Sequence, residues 1–348
     1  MQKNIIFSEL FTKIIIVLLV ILLVMIYLSE RKNLTLEPSL LVLQTDYQEK
    51  KDRIIKTQNT LNDYQTIFEN DDIQSFAFVN NYLIITTGKE NQESTINLIN
   101  LLTRQTKIIS SNTKYISNIL PSQNRFVFLV EDLIKDSRTY EGKLATLETD
   151  QESFSLINPS FLGYPAKNFF VHVNSSLVVF DGFGDKYYFL DLSTPDKATF
   201  VNLPTTKIVG FINPKQLVYY DNESYATQNF KILDLITNQA NQIQTGINYT
   251  PDIAISSDTK KTFFLQPVNQ QQDNIRGIRN LANNKIYNLT GQTINSLDLS
   301  SDNRYILLDK YIVGSIPNLL KKSFTIFDTQ KETFLKSSVE GSFAIWSF

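Results

Sequence analysis

The chain contains one histidine and no cysteine, and that scarcity narrows its chemistry at once. A Cys nucleophile, a thiolate metal site and a histidine-cluster metal site are all excluded. His172 lies in the run FFVHVN. A catalytic imidazole there would need a positioned nucleophile or carboxylate. Its β-branched neighbours Val171 and Val173 mark a packed strand, so His172 is expected as a channel-lining or hydrogen-bonded core residue. The densest acidic loop is Asp181-Gly182-Phe183-Gly184-Asp185. Asp181 and Asp185 could offer oxygen ligands to Ca²⁺, but their spacing is not that of an EF-hand. A connection between two strands, with Gly supplying positive φ, is the simpler reading. Glu131 and Asp132, with Asp136 close by, could act as paired carboxylates in acid–base chemistry. Solvated loop charges are the simpler reading there too. No residue is assigned as catalytic, no cofactor is expected, and no particular metal is specified.

These residues must be positioned by a repeat. An apolar strand ending in Asp, Asn or Glu and running into a polar turn occurs six times, in TINLINLLTRQ, GKLATLETDQ, KYYFLDLSTPD, NFKILDLITNQ, IRGIRNLANNK and SFTIFDTQKE. The register residues are Asn100, Glu148, Asp191, Asp234, Asn280 and Asp328, spaced 43–48 residues apart. Four antiparallel strands occupy ~40–45 residues and cannot bury both faces alone, so the period predicts a ring of stacked sheets. Each register strand is preceded by two others joined through Asn-, Ser-, Pro- and Asp-rich turns, as in NSLDLSSDNRYILL.

Ser300-Ser301-Asp302-Asn303 and Ser256-Ser257-Asp258-Thr259 resemble the S-P-D-G turn of TolB-like and WD40-like propellers. Ser replaces Pro, and Asn or Thr replaces Gly. The Asp residues at 191, 234 and 328 resemble the Asp that ends the third strand of such blades. The resemblance covers residues 71–348 and implies a β-propeller, and six repeats at a period of about 46 residues make the expectation an all-β, six-bladed β-propeller. The C-terminal SFAIWSF resembles the blade start SFAFVNN and is expected to pair with the first blade and close the ring. A seven-bladed ring is the alternative. It would need outer strands from residues 30–70, which read as helix.

Composition agrees with an all-β domain. Aromatic residues make up 12% of the chain, suited to pleated surfaces packed face to face. Basic and acidic residues number 33 and 35, a net charge of −2, which leaves no footprint for nucleic acid.

Ile14 to Leu28 contains no polar residue other than Tyr27 near its end. Lys13 can extend the span by snorkelling. No small-residue cleavage site follows, so 14–29 is expected to be an uncleaved signal anchor rather than a signal peptide. Residues 1–13 form a short tail before it. Residues 30–70 are expected to be a helical linker. Leu40, Tyr47, Ile54, Leu61 and Phe68 recur every seven positions over 38–69, which suggests weak homo-oligomerisation. The propeller would then stand outside the cytoplasm on a single-pass membrane anchor. Its expected role is non-catalytic: protein binding or envelope assembly. The alternatives are a glycosidase- or peptidase-like hydrolase using paired carboxylates, and a structural surface spacer.

Overall fold

The computed structural model describes residues 39–347 except 47–50, 59–62, 90–92, 111–114, 134–139, 150–153, 158–168, 173, 182–186, 195–198, 202, 204–205, 225–226, 244–251, 268–274, 290–293, 301 and 312–321. The sequence run 14–29 lies outside the described residues. Among the described residues no helix is long and apolar enough to cross a membrane.

The chain forms seven four-stranded antiparallel sheets. From innermost strand outward, blade 1 is Ile73–Val79, Tyr82–Thr87, Thr95–Asn100 and Thr106–Ser110. Blade 2 is Tyr115–Ser122, Arg125–Leu133, Tyr140–Glu148 and Phe154–Ile157. Blade 3 is Phe169–Val171, Leu177–Asp181, Tyr187–Asp191 and Thr199–Val201. Blade 4 is Thr206–Asn213, Gln216–Ser224, Thr227–Asp234 and Ala240–Ile243. Blade 5 is Ile253–Ile255, Thr262–Pro267, Ile275–Asn280 and Ile286–Asn288. Blade 6 is Ile294–Leu299, Tyr305–Tyr311, Lys322–Asp328 and Thr333–Gly341. Blade 7 combines the two ends of the ring: Phe343–Trp346, Leu40–Asp46, Lys51–Gln58 and Asp63–Asn70.

Seven blades, not six, is a correction to the sequence expectation. So are the strands Leu40–Asp46, Lys51–Gln58 and Asp63–Asn70, which stand where a helical linker over 30–70 is expected from the sequence. The physical reason is visible in Leu40-Leu41-Val42-Leu43. Leu40 and Val42 pack against blade 6 with Tyr305 and Phe324, while Leu41 packs against blade 1 with Phe76 and Leu83. A strand buried on both faces shows a continuous apolar run and no alternation, so it can be mistaken for one side of a helix. Charged side chains of this stretch pair across strands instead. Arg53 Nε and Lys51 Nζ both donate to Glu69, each at 3.1 Å. The sevenfold spacing over 38–69 is therefore no coiled-coil seam. The C-terminal segment does close the ring, but it pairs with Leu40–Asp46 as the innermost strand of blade 7 rather than with the blade that begins at Ile73, with Trp346 facing Leu40 and Phe343 facing Leu43.

The core is divided as the ring demands. Among the described residues there are seven apolar clusters, and each joins two neighbouring blades. Phe126 and Phe128 of blade 2 meet Ile84 and Leu98 of blade 1. Phe263 and Leu265 of blade 5 meet Ile306 and Leu308 of blade 6. Each such side chain contributes about 1.5–3 kcal/mol on burial. No blade buries its faces without both neighbours, which is why closure through blade 7 is needed.

Candidate functional site

The register residues come first, because they account for most of the acidic positions that recur. Asn100 Oδ1 accepts the N–H groups of Leu102 and Thr103 at 3.0 and 3.2 Å. Asp234 Oδ1 accepts those of Ile236 and Thr237 at 2.9 and 2.8 Å. Asp328 Oδ1 accepts those of Gln330 and Lys331 at 2.9 and 3.0 Å. Asn280 Oδ1 accepts that of Ala282 at 3.0 Å, and Asp191 Oδ1 that of Ser193 at 2.9 Å. A side-chain oxygen here replaces a strand partner for turn amides that would otherwise go unpaired. Four residues on from the register position, Arg104, Asn238, Asn284 and Glu332 adopt positive φ and turn the chain back. Glu148 departs from this pattern and pairs with Arg125 at 3.2 Å.

Backbone N–H donors hold Asp234 below its usual value, the Thr237 amide foremost. Burial pushes Asp191 up, but hydrogen bonds from Ser176 and Ser193 outweigh it and leave the carboxyl lowered. These groups are fixed as charged caps and belong to the scaffold.

The turns between innermost and second strands lie on the same face of the ring as these capped turns. They are tied to one another from blade to blade. Asn80 Nδ2 donates to Asn124 Oδ1 at 3.2 Å. Ser122 Oγ donates to Ser175 O at 2.6 Å. Asn303 Nδ2 donates to Ser257 Oγ at 2.9 Å. Within the two S-x-D turns, Ser256 Oγ donates to Asp258 Oδ1 and Ser300 Oγ to Asp302 Oδ1, both at 2.6 Å. Each hydroxyl also accepts the N–H five residues on, Lys261 at 2.9 Å and Tyr305 at 2.8 Å.

The opposite face carries the connections from second to third strands. Glu131 and Asp132 stand near the end of the second strand of blade 2, where Glu131 faces Tyr115 and Gly142 in register. Asp181 ends the second strand of blade 3 and faces Tyr187. Topology thus brings these three positions to one face, on adjacent blades. Asp185, the other half of that candidate loop, and Asp136 lie outside the described residues. Among the described residues no group of three His, Asp or Glu is placed to hold a metal ion.

His172 follows the innermost strand of blade 3, at the tied-turn face, opposite to Asp181. Its ring meets Phe211 of blade 4 edge-on, with centroids 5.9 Å apart. Nδ1 is buried and has no hydrogen-bond partner among the described residues. Burial holds the imidazole below its ordinary value. The single histidine and the acidic loop of the same blade are therefore at opposite ends of their strands.

Sequence reasoning missed one pair. Asp298 sits in the innermost strand of blade 6, between the part-buried and buried Leu299 and Leu297. The residue as a whole is exposed, yet its carboxyl is crowded by protein atoms. Desolvation by that crowding, then the charge of Asp252, pushes its pKa up to about 7. Asp252 Oδ1 accepts the N–H of Ile253 at 2.9 Å, and Oδ2 that of Leu297 at 2.7 Å. A protonated carboxyl beside a backbone-anchored carboxylate can donate and accept at one place. The available signal was a carboxylate inside the apolar run NSLDLSS.

No protein-family model matches the chain, and no curated protein matches it in sequence. Solved structures do match in shape. An oligogalacturonate lyase in complex with manganese superposes with a TM-score of 0.56 at 8% identity, over 78% of this chain and 87% of that one. The β-propeller domain of the Trilobed protease from Pyrococcus furiosus, described as having an open velcro topology, gives 0.52 at 11% identity, over 74% and 83%. TolB from Acinetobacter baumannii gives 0.49 at 10% identity over 89% of this chain, which spans 66% of the TolB chain. At 8% and 11% identity the first two likenesses are of fold, and with the seven four-stranded sheets they make the ring a β-propeller.

Proposed function

We propose that the chain is a membrane-tethered, extracytoplasmic propeller that binds a protein partner through its loop face and performs no chemistry of its own. One observation carries this reading: the strand order puts His172 and the acidic positions Glu131, Asp132 and Asp181 on opposite faces. A histidine cannot serve as base or acid to a carboxylate group across the height of a blade. The register carboxylates are spent on capping. A rigid ring whose longer connections, such as 134–139 and 312–321, leave from one face suits partner recognition. The apolar run 14–28 supports the tether.

Photo-crosslinking in native membranes tests it. A crosslinking residue at Lys89 or Asp181, on the loop face, should yield a discrete protein adduct. The same residue at Arg104, on the tied-turn face, should not. Adducts formed only from Arg104 would overturn the reading.

The Asp298–Asp252 pair favours a second reading, a carboxylate-pair hydrolase. In that case purified full-length protein would turn over glycans or peptides, and Asp298→Asn would abolish the turnover.

A further inference from the structure

We infer that the tied-turn face of the ring docks on the phospholipid bilayer, with Leu102 and Ile236 entering its interface, so that the loop face points away from the membrane. This rests on the reading of 14–29 as a membrane span.

The described chain enters the ring at Ser39. Ser39 Oγ donates to Ser347 O at 3.0 Å, and Ser347 N donates to Ser39 O at 3.1 Å. Ser347 follows the innermost strand of blade 7 and Ser39 precedes its second strand, so both stand at the tied-turn face. The sequence between the apolar run and the ring is 29–38. Fully extended it reaches at most about 35 Å. From Ser39 to the loop face, the chain would have to pass outward beyond the third and outermost strands. It would then have to climb the height of a blade. Strand spacings of ~4.8 Å and rises of ~3.3 Å per residue make that path about 40 Å. The span is therefore too short to bring the loop face to the bilayer, and long enough for the tied-turn face.

That face carries the two most exposed large apolar side chains among the described residues, Leu102 at 74% and Ile236 at 70%. They occupy the same place in two capped turns, two residues after Asn100 and Asp234. Their amides are held inward by the register oxygens, so the side chains project from the turn tips. The equivalent residues in blades 3, 5 and 6 are Ser193, Ala282 and Gln330. Blades 1 and 4 are three steps apart in a ring of seven, so the two apolar tips straddle the axis. A bilayer contacted at both points seats the ring flat. Apolar side chains at the acyl boundary are what interfacial binding uses.

The chain has no native cysteine, which allows single-site labelling. Leu102→Cys, Ile236→Cys and Lys89→Cys would each be made in the full-length chain and labelled with an environment-sensitive fluorophore. Each would be reconstituted in phosphatidylcholine–phosphatidylglycerol vesicles containing acyl-chain nitroxide lipid. Blue-shifted, quenched emission at 102 and 236, with water-like emission at 89, is expected. Thr103→Cys should give an intermediate signal and checks that the turn remains folded. Vesicle-bound protein with unquenched 102 and 236 overturns the docking while leaving the membrane span intact. A blue shift at 102 that persists in detergent and grows with protein concentration overturns it in favour of contact between copies. A chain that does not float with the vesicles overturns both readings.

Discussion

Asn303 and Ser257 are joined twice across the junction of blades 5 and 6. The Ser257 N–H donates to Asn303 Oδ1 at 3.0 Å, and Asn303 Nδ2 donates to Ser257 Oγ at 2.9 Å. Asn303 reaches this position because its φ is +59°, a conformation that its short amide tolerates. Asn303→Ala should remove both bonds and add strain, costing about 1–3 kcal/mol. Ser257→Ala should cost less, because the backbone donor survives. Urea denaturation of both singles and the double should show a coupling energy. Strict additivity would mean that the tie contributes nothing.

Thr259 occupies the equivalent turn position in blade 5, with φ +61°. A β-branched residue is poorly suited to that region. Thr259→Asn should therefore raise stability by about 0.5–1 kcal/mol, read as an increased denaturation midpoint at unchanged slope. A lowered midpoint would show that the Thr259 hydroxyl, which donates to Asp258 O at 2.7 Å, matters more than the backbone.

Gly341 marks the place where the outermost strand of blade 6 turns into the closing strand. A Cβ there would meet Val42 Cγ1 and, at 2.5 Å, the carbonyl oxygen of Leu43. Backbone cannot yield as a flexible side chain does. Gly341→Ala should destabilise the full-length protein by about 1–3 kcal/mol and loosen closure first. Hydrogen exchange should show early loss of protection in 40–46, before the rest of the ring. Uniform or unchanged protection would refute this.

Asp298 gives a pH signature. Its folded pKa is raised from 3.8 to about 7. Between those values the unfolded chain loses the proton while the folded chain keeps it. Stability tied to this group is full below about pH 4 and falls as pH rises through about 7. The capping carboxylates Asp191, Asp234 and Asp258 act in the opposite sense, since their lowered values favour the fold above the normal carboxylate range. Comparing wild type with Asp298→Asn cancels that background. The advantage of wild type over the variant should shrink between pH 4 and pH 7 and then level off. A constant difference across that range would place Asp298 in ordinary solvent.

Much of the propeller could be read along the chain because its causes are local. The third-strand Asx caps recur since every blade must turn its chain at the same point, and each turn needs an oxygen for its own amides. Asp191, Asp234 and Asp328 therefore announce blades by themselves. The run Leu40-Leu41-Val42 is different. Its fate was decided by burial on both faces between blades 6 and 1, a condition that exists only once the ring closes and that erases the alternation by which strands are recognised. The faces were equally illegible. Whether His172 stands near Asp181 depends on strand direction within blade 3, which puts them at opposite ends. Asp298 and Asp252 are far apart in sequence, and only the packing of blade 6 against blade 5 sets one carboxyl beside the other and shifts its proton affinity.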